Sequence, residues 1–125
     1  MSKRARMHVS IDGVDRLKGK LDELPPAVRT ALESAIASET QAVADDMRDT
    51  APRGETGELI DSIESRVDGL TGTVAATATH AIWVEFGTSK MAAQPFAAPA
   101  VEGSRTRLPR RVRVQLESAL KDISR

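Results

Sequence analysis

An α+β fold is predicted for this 125-residue chain: a small antiparallel sheet, made of an N-terminal strand plus a hairpin, packed against a long central helix and a C-terminal helix. Three observations predict it. Residues 6–12 alternate apolar and polar; residues 26–50 carry one apolar stripe with no internal glycine; and Asp68-Gly69 and Gly72 punctuate a strand-like stretch.

Met7, Val9 and Ile11 alternate with His8, Ser10 and Asp12, as in a strand with one buried face. Val14, Leu17, Leu21 and Leu24 then recur at helical spacing, with Gly19 weakening that helix and Pro25-Pro26 stopping it. Pro26 also suits the first turn of the next helix, where its missing N–H costs nothing. Val28, Leu32, Ile36, Val43 and Met47 form the stripe of that long helix, with Ala35 and Ala42 beside it. Glu33, Glu39, Asp45, Asp46 and Asp49 are expected on its solvated face. Ala51-Pro52 ends it.

Thr56 is expected to cap a short helix in which Leu59, Ile60 and Ile63 are buried, with Gly57 allowing the turn before it. Strands are expected from Ile63 to Asp68 and from Thr73 to Thr79. His80 to Phe86 reads as a two-turn helix because Gly87 suits its C-terminal end. Residues 88–95 form a loop. A last helix carries Val101, Leu108, Val112, Leu116, Leu120 and Ile123 as its stripe, with a kink or a break at Pro109. The chain reads as one domain over residues 1–125, with residues 1–5 a flexible tail.

Composition bounds the core. The apolar residues include many alanines, and the only aromatics are Trp83, Phe86 and Phe96. A core this thin invites burial against further copies of the chain. There is no cysteine, hence no disulfide and no thiolate zinc site. No apolar run reaches the length of a membrane span. Net charge is zero but segregated: residues 22–64 are acidic, and residues 1–20 and 103–125 are basic. Such ends can pair within one chain or between neighbours.

Few constellations carry chemistry. His8 and His80 lie far apart without metal-ligand spacing, and Asp45, Asp46 and Asp49 read as a surface acid cluster; no metal or cofactor is expected. No nucleophile elbow, phosphate loop or dinucleotide turn is present. His80 with Glu85 is the one cluster a hydrolase could use, and His80 reads better as a helix-cap or core-edge residue; no enzyme and no small-molecule substrate are expected. Arg105, Arg107, Arg110, Arg111 and Arg113 fall within nine residues and suit phosphate, so a small nucleic-acid-binding protein using the C-terminal helix is the alternative reading. No aromatic lies among them for stacking on bases, and the acidic long helix offers them a protein partner. Trp83, Phe86 and Phe96 straddle a loop of small residues, as though anchoring a projecting contact loop.

Four segments then stand together in order: Ala51-Pro52; Thr56-Gly57-Glu58-Leu59 with Ser62-Ile63; His80-Ala81 with Val84-Glu85-Phe86-Gly87-Thr88; and Gln94-Pro95-Phe96 with Pro99-Ala100. With the long helix before them, they resemble the neck, or head–tail joining, family of long-tailed bacteriophages and prophages, also described as minor tail or tail-completion proteins. The resemblance spans about residues 12–123. The chain departs from it in having His80 where many relatives have an aromatic, in a short loop between Gly87 and Pro95, and in the arginine-rich stretch around Pro109.

The resemblance implies a virion structural protein at the head–tail junction, present in the host cytoplasm during assembly. It implies a homo-oligomeric ring, six copies favoured, between head-completion or connector proteins and tail-terminator or tail-tube proteins. DNA would pass through the lumen without sequence-specific binding, and no membrane would be involved. Expected contact residues are Glu85, Gly87, Thr88, Ser89, Lys90, Met91 and Gln94 together with the five arginines. Glu85 would meet a neighbour's arginine. Trp83 and Phe86 would pack the second short helix onto the sheet, while Phe96 and Pro99 would pin the last helix.

Overall fold

The structure, a computed structural model, describes residues 7–11 and 23–123. The elements run β1 (Met7–Ile11), α1 (Pro26–Thr50), α2 (Glu58–Asp61), β2 (Ile63–Asp68), β3 (Thr71–Ala76), α3 (Ala81–Phe86) and α4 (Ala97–Ile123). The fold is the expected α+β arrangement. The tail expected over residues 1–5 and the stripe residues Val14, Leu17 and Leu21 lie outside the described residues.

The three strands form one antiparallel sheet in the order β1-β3-β2. Met7 faces Ala76 and Ile11 faces Gly72 on one side of β3, while Ile63 faces Ala76 and Asp68 faces Thr71 on the other. The β2–β3 connection is thus the two-residue turn Gly69-Leu70, and β3 ends at Ala76, short of the expected Thr79. Ile11, Ile63, Val74 and Ala76 point from the sheet into a core shared with Leu32, Ile36, Val43 and Met47 of α1. At Gly72 the sheet meets α1 so closely that a Cβ would collide with Thr40. Thr40 is itself buried and returns its hydroxyl to the Ile36 carbonyl at 2.7 Å, so its polar atom costs the core little.

Pro26 opens α1, and Ala51 leaves it in extended conformation before Pro52, as expected. The helix buries more than one stripe. Leu32, Ile36, Val43 and Met47 are joined by Ala31, Ala35 and Ala44, because α4 packs along a second side of α1. Small residues let the two long helices approach: Ala97, Ala100 and Ala119 are the buried residues of α4. Val101, Leu108, Val112 and Leu116 are half-buried, whereas Leu120 and Ile123 are exposed, so the expected stripe fails at its C-terminal end. Pro109 does not divide α4, which runs through it as one helix.

Glu39 also departs from expectation. It does not face solvent with Asp45 and Asp49, but is fully buried between α1 and α4. Arg107 grips its carboxylate with Nε at 3.1 Å and Nη2 at 2.9 Å from Oε2, and Arg111 Nε donates to Oε1 at 2.8 Å. The Nη1 of Arg107 reaches Asp46 at 2.7 Å. These carboxylates, Glu39 first, hold the Arg107 guanidinium above its ordinary pKa against the opposing effect of burial.

Candidate assembly surface

The stretch from Thr77 to Phe96 positions the candidate surface. Helix α3 is short, so three-residue spacing divides it cleanly: Ala81, Val84 and Glu85 turn inward, and Trp83 and Phe86 share the outward side. Its N-terminal cap position is held by half-buried His80, without a side-chain cap bond.

Glu85 anchors the segment. It is 5% exposed, and its Oε1 accepts the backbone N–H groups of Phe96 and Ala97, each at 2.8 Å. Its Oε2 accepts that of Ala98 at 3.1 Å. These amides open α4 and have no carbonyl partners within the helix, so a carboxylate from α3 satisfies them and meets the positive end of the helix dipole. Glu85 is therefore a structural cap within its own chain. The expected contact with a neighbour's arginine is incompatible with this burial, and both oxygens that the hydrolase reading would need are occupied.

The loop between α3 and α4 is held shut. Gln94 N–H donates to the Val84 carbonyl at 2.7 Å, and Thr88 N–H to that of Met91 at 2.8 Å. Gly87 adopts φ +77°, and a Cβ there would lie 2.8 Å from the Ala93 nitrogen. Only glycine accepts both the left-handed backbone and that contact. Phe96 is fully buried and fixes the far end of the loop, with Pro99 exposed in the first turn of α4.

On this rigid support sit exposed apolar groups. Trp83 is 56% exposed and Phe86 73% exposed, with Met91 exposed in the adjoining loop. The expectation that Trp83 and Phe86 pack α3 onto the sheet is wrong: Ala81, Val84 and Glu85 take the inner side. Thr88, Ser89, Lys90, Met91 and Gln94 are exposed. The aromatic side was missed because ring hydrophobicity outweighed spacing; the i, i+3 relation of Trp83 and Phe86, out of phase with Ala81 and Val84, was the available signal.

The loop before α2 supports the same end of the fold. Gly57, with φ +69°, holds the N-terminal cap position of α2, and Thr56 Oγ1 accepts the Glu58 N–H at 3.3 Å. Leu59 is buried.

The arginine stretch divides. Arg107 and Arg111 are held by Glu39 within the fold, with their side chains still 31% and 37% exposed. Arg105 pairs loosely with Glu102 at 3.5 Å, and Arg110 and Arg113 are exposed. Among the described residues no group of three or more His, Asp or Glu side chains could hold a metal ion, and no helix is long and apolar enough to cross a membrane.

The exposed rings of α3 thus stand beside a loop closed by its own backbone hydrogen bonds. The chain belongs to the family described as "Bacteriophage HK97-gp10, putative tail-component", which it matches over residues 15–87, more than half its length. No curated protein and no solved structure matches it.

Proposed function

We propose that this protein is a structural, non-catalytic component of a bacteriophage virion that acts at the head–tail junction. Copies assemble head-to-tail into a ring, six favoured, between head-completion or connector proteins and tail-terminator or tail-tube proteins. DNA passes through the lumen without sequence-specific contacts, and assembly takes place in the host cytoplasm. Family membership supports the virion role. The single observation that carries the assembly reading is the exposed Trp83–Phe86 side of α3, next to Met91.

Leaving such rings in water forgoes about 1.5–3 kcal/mol apiece relative to burial. Exposed apolar groups on a backbone held by Glu85 and Gly87 fit a docking surface, since the main chain is already ordered before association and only side-chain freedom remains to be lost. A closed ring requires each copy to offer two different surfaces, of which the α3 side and its loop are one.

The test is mass by light scattering over a concentration series, for the native chain and for Trp83→Ser/Phe86→Ser. Discrete multi-copy particles are expected from the native chain and their loss from the folded variant. Assembly unaffected by the double substitution would remove α3 from the interface.

A further inference from the structure

We propose that the free edge of β2 is a second docking surface, and that it pairs antiparallel with β2 of a second copy in a register centred on Ser65. This contact is distinct from the α3 surface and goes beyond the ring reading. It is isologous, so it joins two copies and stops there.

The ladder shows which atoms are available. Thr77 N–H donates to the Ser62 carbonyl at 3.2 Å, and Ile63 faces Ala76. The hydrogen-bonded positions of β2 toward β3 are therefore Ser62, Glu64, Arg66 and Asp68. The N–H and C=O groups of Ile63, Ser65 and Val67 point to the open edge. Arg48 Nη2 covers the Ile63 carbonyl at 2.9 Å, whereas among the described residues the Ser65 and Val67 main chains have no partner on that side. Every residue of β2 after Ile63 is exposed, and Val67 is an exposed apolar side chain. An edge of this kind templates a further strand.

Side-chain charge selects the strand. Glu64, Arg66 and Asp68 alternate in sign along one face, and none of them is in an ion pair among the described residues. Pairing two β2 strands about Glu64 sets Glu64 against Glu64. Pairing about Arg66 sets Arg66 against Arg66 and Glu64 against Asp68. Both registers place like charges directly opposite, which is destabilising. Pairing about Ser65 sets Glu64 against Arg66 twice, at the non-hydrogen-bonded positions where side chains approach most closely. It also joins the Ser65 main chains reciprocally and brings Val67 opposite Ile63, where the Val67 N–H shares the Ile63 carbonyl with Arg48 or displaces it. Centring on Val67 retains an Arg66–Asp68 match but runs the strands out into the Gly69-Leu70 turn. The favoured pair makes a six-stranded sheet in the order β1-β3-β2-β2-β3-β1.

Charge exchange tests the register, using sedimentation of the full chain in both the native and the Trp83→Ser/Phe86→Ser backgrounds. The second background keeps failure of the ring reading separate from failure of this one. A two-copy species is expected in the Trp83→Ser/Phe86→Ser background, and a pairing of the larger particles in the native one. Glu64→Arg alone and Arg66→Glu alone should each raise its dissociation constant about tenfold or more, since two attractive pairs become repulsive. The double variant E64R/R66E should restore it, and so should an equimolar mixture of the two single variants, where every facing pair is again opposite. Glu64 and Arg66 are both exposed, and circular dichroism checks that each variant stays folded. The chain has no native cysteine, so Ser65→Cys introduces a single thiol. Facing hydrogen-bonded positions lie about 5.5 Å apart between Cα atoms, within disulfide reach. Ser65→Cys should therefore oxidise to a covalent pair faster than Ser89→Cys. A chain monomeric throughout, a pair indifferent to both reversals, or a mixture that fails to recover would overturn the proposal. An edge that accepts only another protein's strand gives the first of these results.

Discussion

Glu39 of α1 and Arg107 of α4 stand 68 residues apart in sequence, and Nη2 of one lies 2.9 Å from Oε2 of the other. The contact joins the two longest helices through a carboxylate that water does not reach, and Arg111 supplies its second clamp. The packing of α4 on α1 is thus polar at its middle and small-residue apolar on either side.

The network is asymmetric, because Glu39 is fully buried while Arg107 remains 31% exposed in its side chain. Arg107→Ala strands a buried charge with one remaining partner and is expected to cost about 3 kcal/mol. Glu39→Gln leaves the guanidinium groups able to turn toward Asp46 and water, so a smaller loss of about 1–2 kcal/mol is expected. Urea unfolding ranks the two, and equal losses would contradict the asymmetry. The raised pKa of Arg107 means that its contribution is complete below the unfolded value and is lost only as pH rises through the folded one. Both values lie above the working range, so this group adds no pH dependence there.

Glu85 accepts three main-chain amides at the start of α4. Glu85→Gln keeps one acceptor oxygen but turns an amide group toward the remaining N–H donors, with an expected cost of about 2 kcal/mol. Glu85→Ala leaves all three donors unsatisfied and is expected to cost more, about 3 kcal/mol or above. A hydrogen-exchange map should show the first turn of α4 losing protection in both variants; protection unchanged would rule out the cap.

Phe86→Ala is expected to change unfolding free energy by no more than about 0.5 kcal/mol, since the ring is mostly in water. Assembly is expected to weaken in the same variant. A loss of several kcal/mol in the isolated chain would return Phe86 to the core.

Gly87→Ala places a Cβ against the Ala93 and Met91 main chains at a left-handed position. A destabilisation of about 2 kcal/mol or more is expected, read from the thermal midpoint. A neutral result would show that the loop is less tightly closed than its hydrogen bonds indicate.

Much of the fold was legible in the sequence. Pro25-Pro26 and Ala51-Pro52 bracketed α1, alternation at Met7, Val9 and Ile11 marked β1, and Asp68-Gly69 marked the hairpin, each through local backbone chemistry. The misassignments arose where tertiary partners decide. Glu39 looked solvated because a carboxylate on a helix usually is; only two arginines arriving from α4 make its burial tolerable. Glu85 looked like an interface charge because the amides it caps lie at the far end of a loop. Trp83 and Phe86 looked like core because large rings usually are, and their common outward side became clear only against the small inner residues of α3.

The most direct test of the account uses Trp83, the one tryptophan of the chain. Its emission and its acrylamide quenching would be followed together with particle mass as concentration rises. The account requires a red-shifted, readily quenched indole in the single chain, and a blue-shifted, protected one in the assembled particle. A chain that never assembles, or one that assembles with Trp83 as quenchable as before, would contradict it.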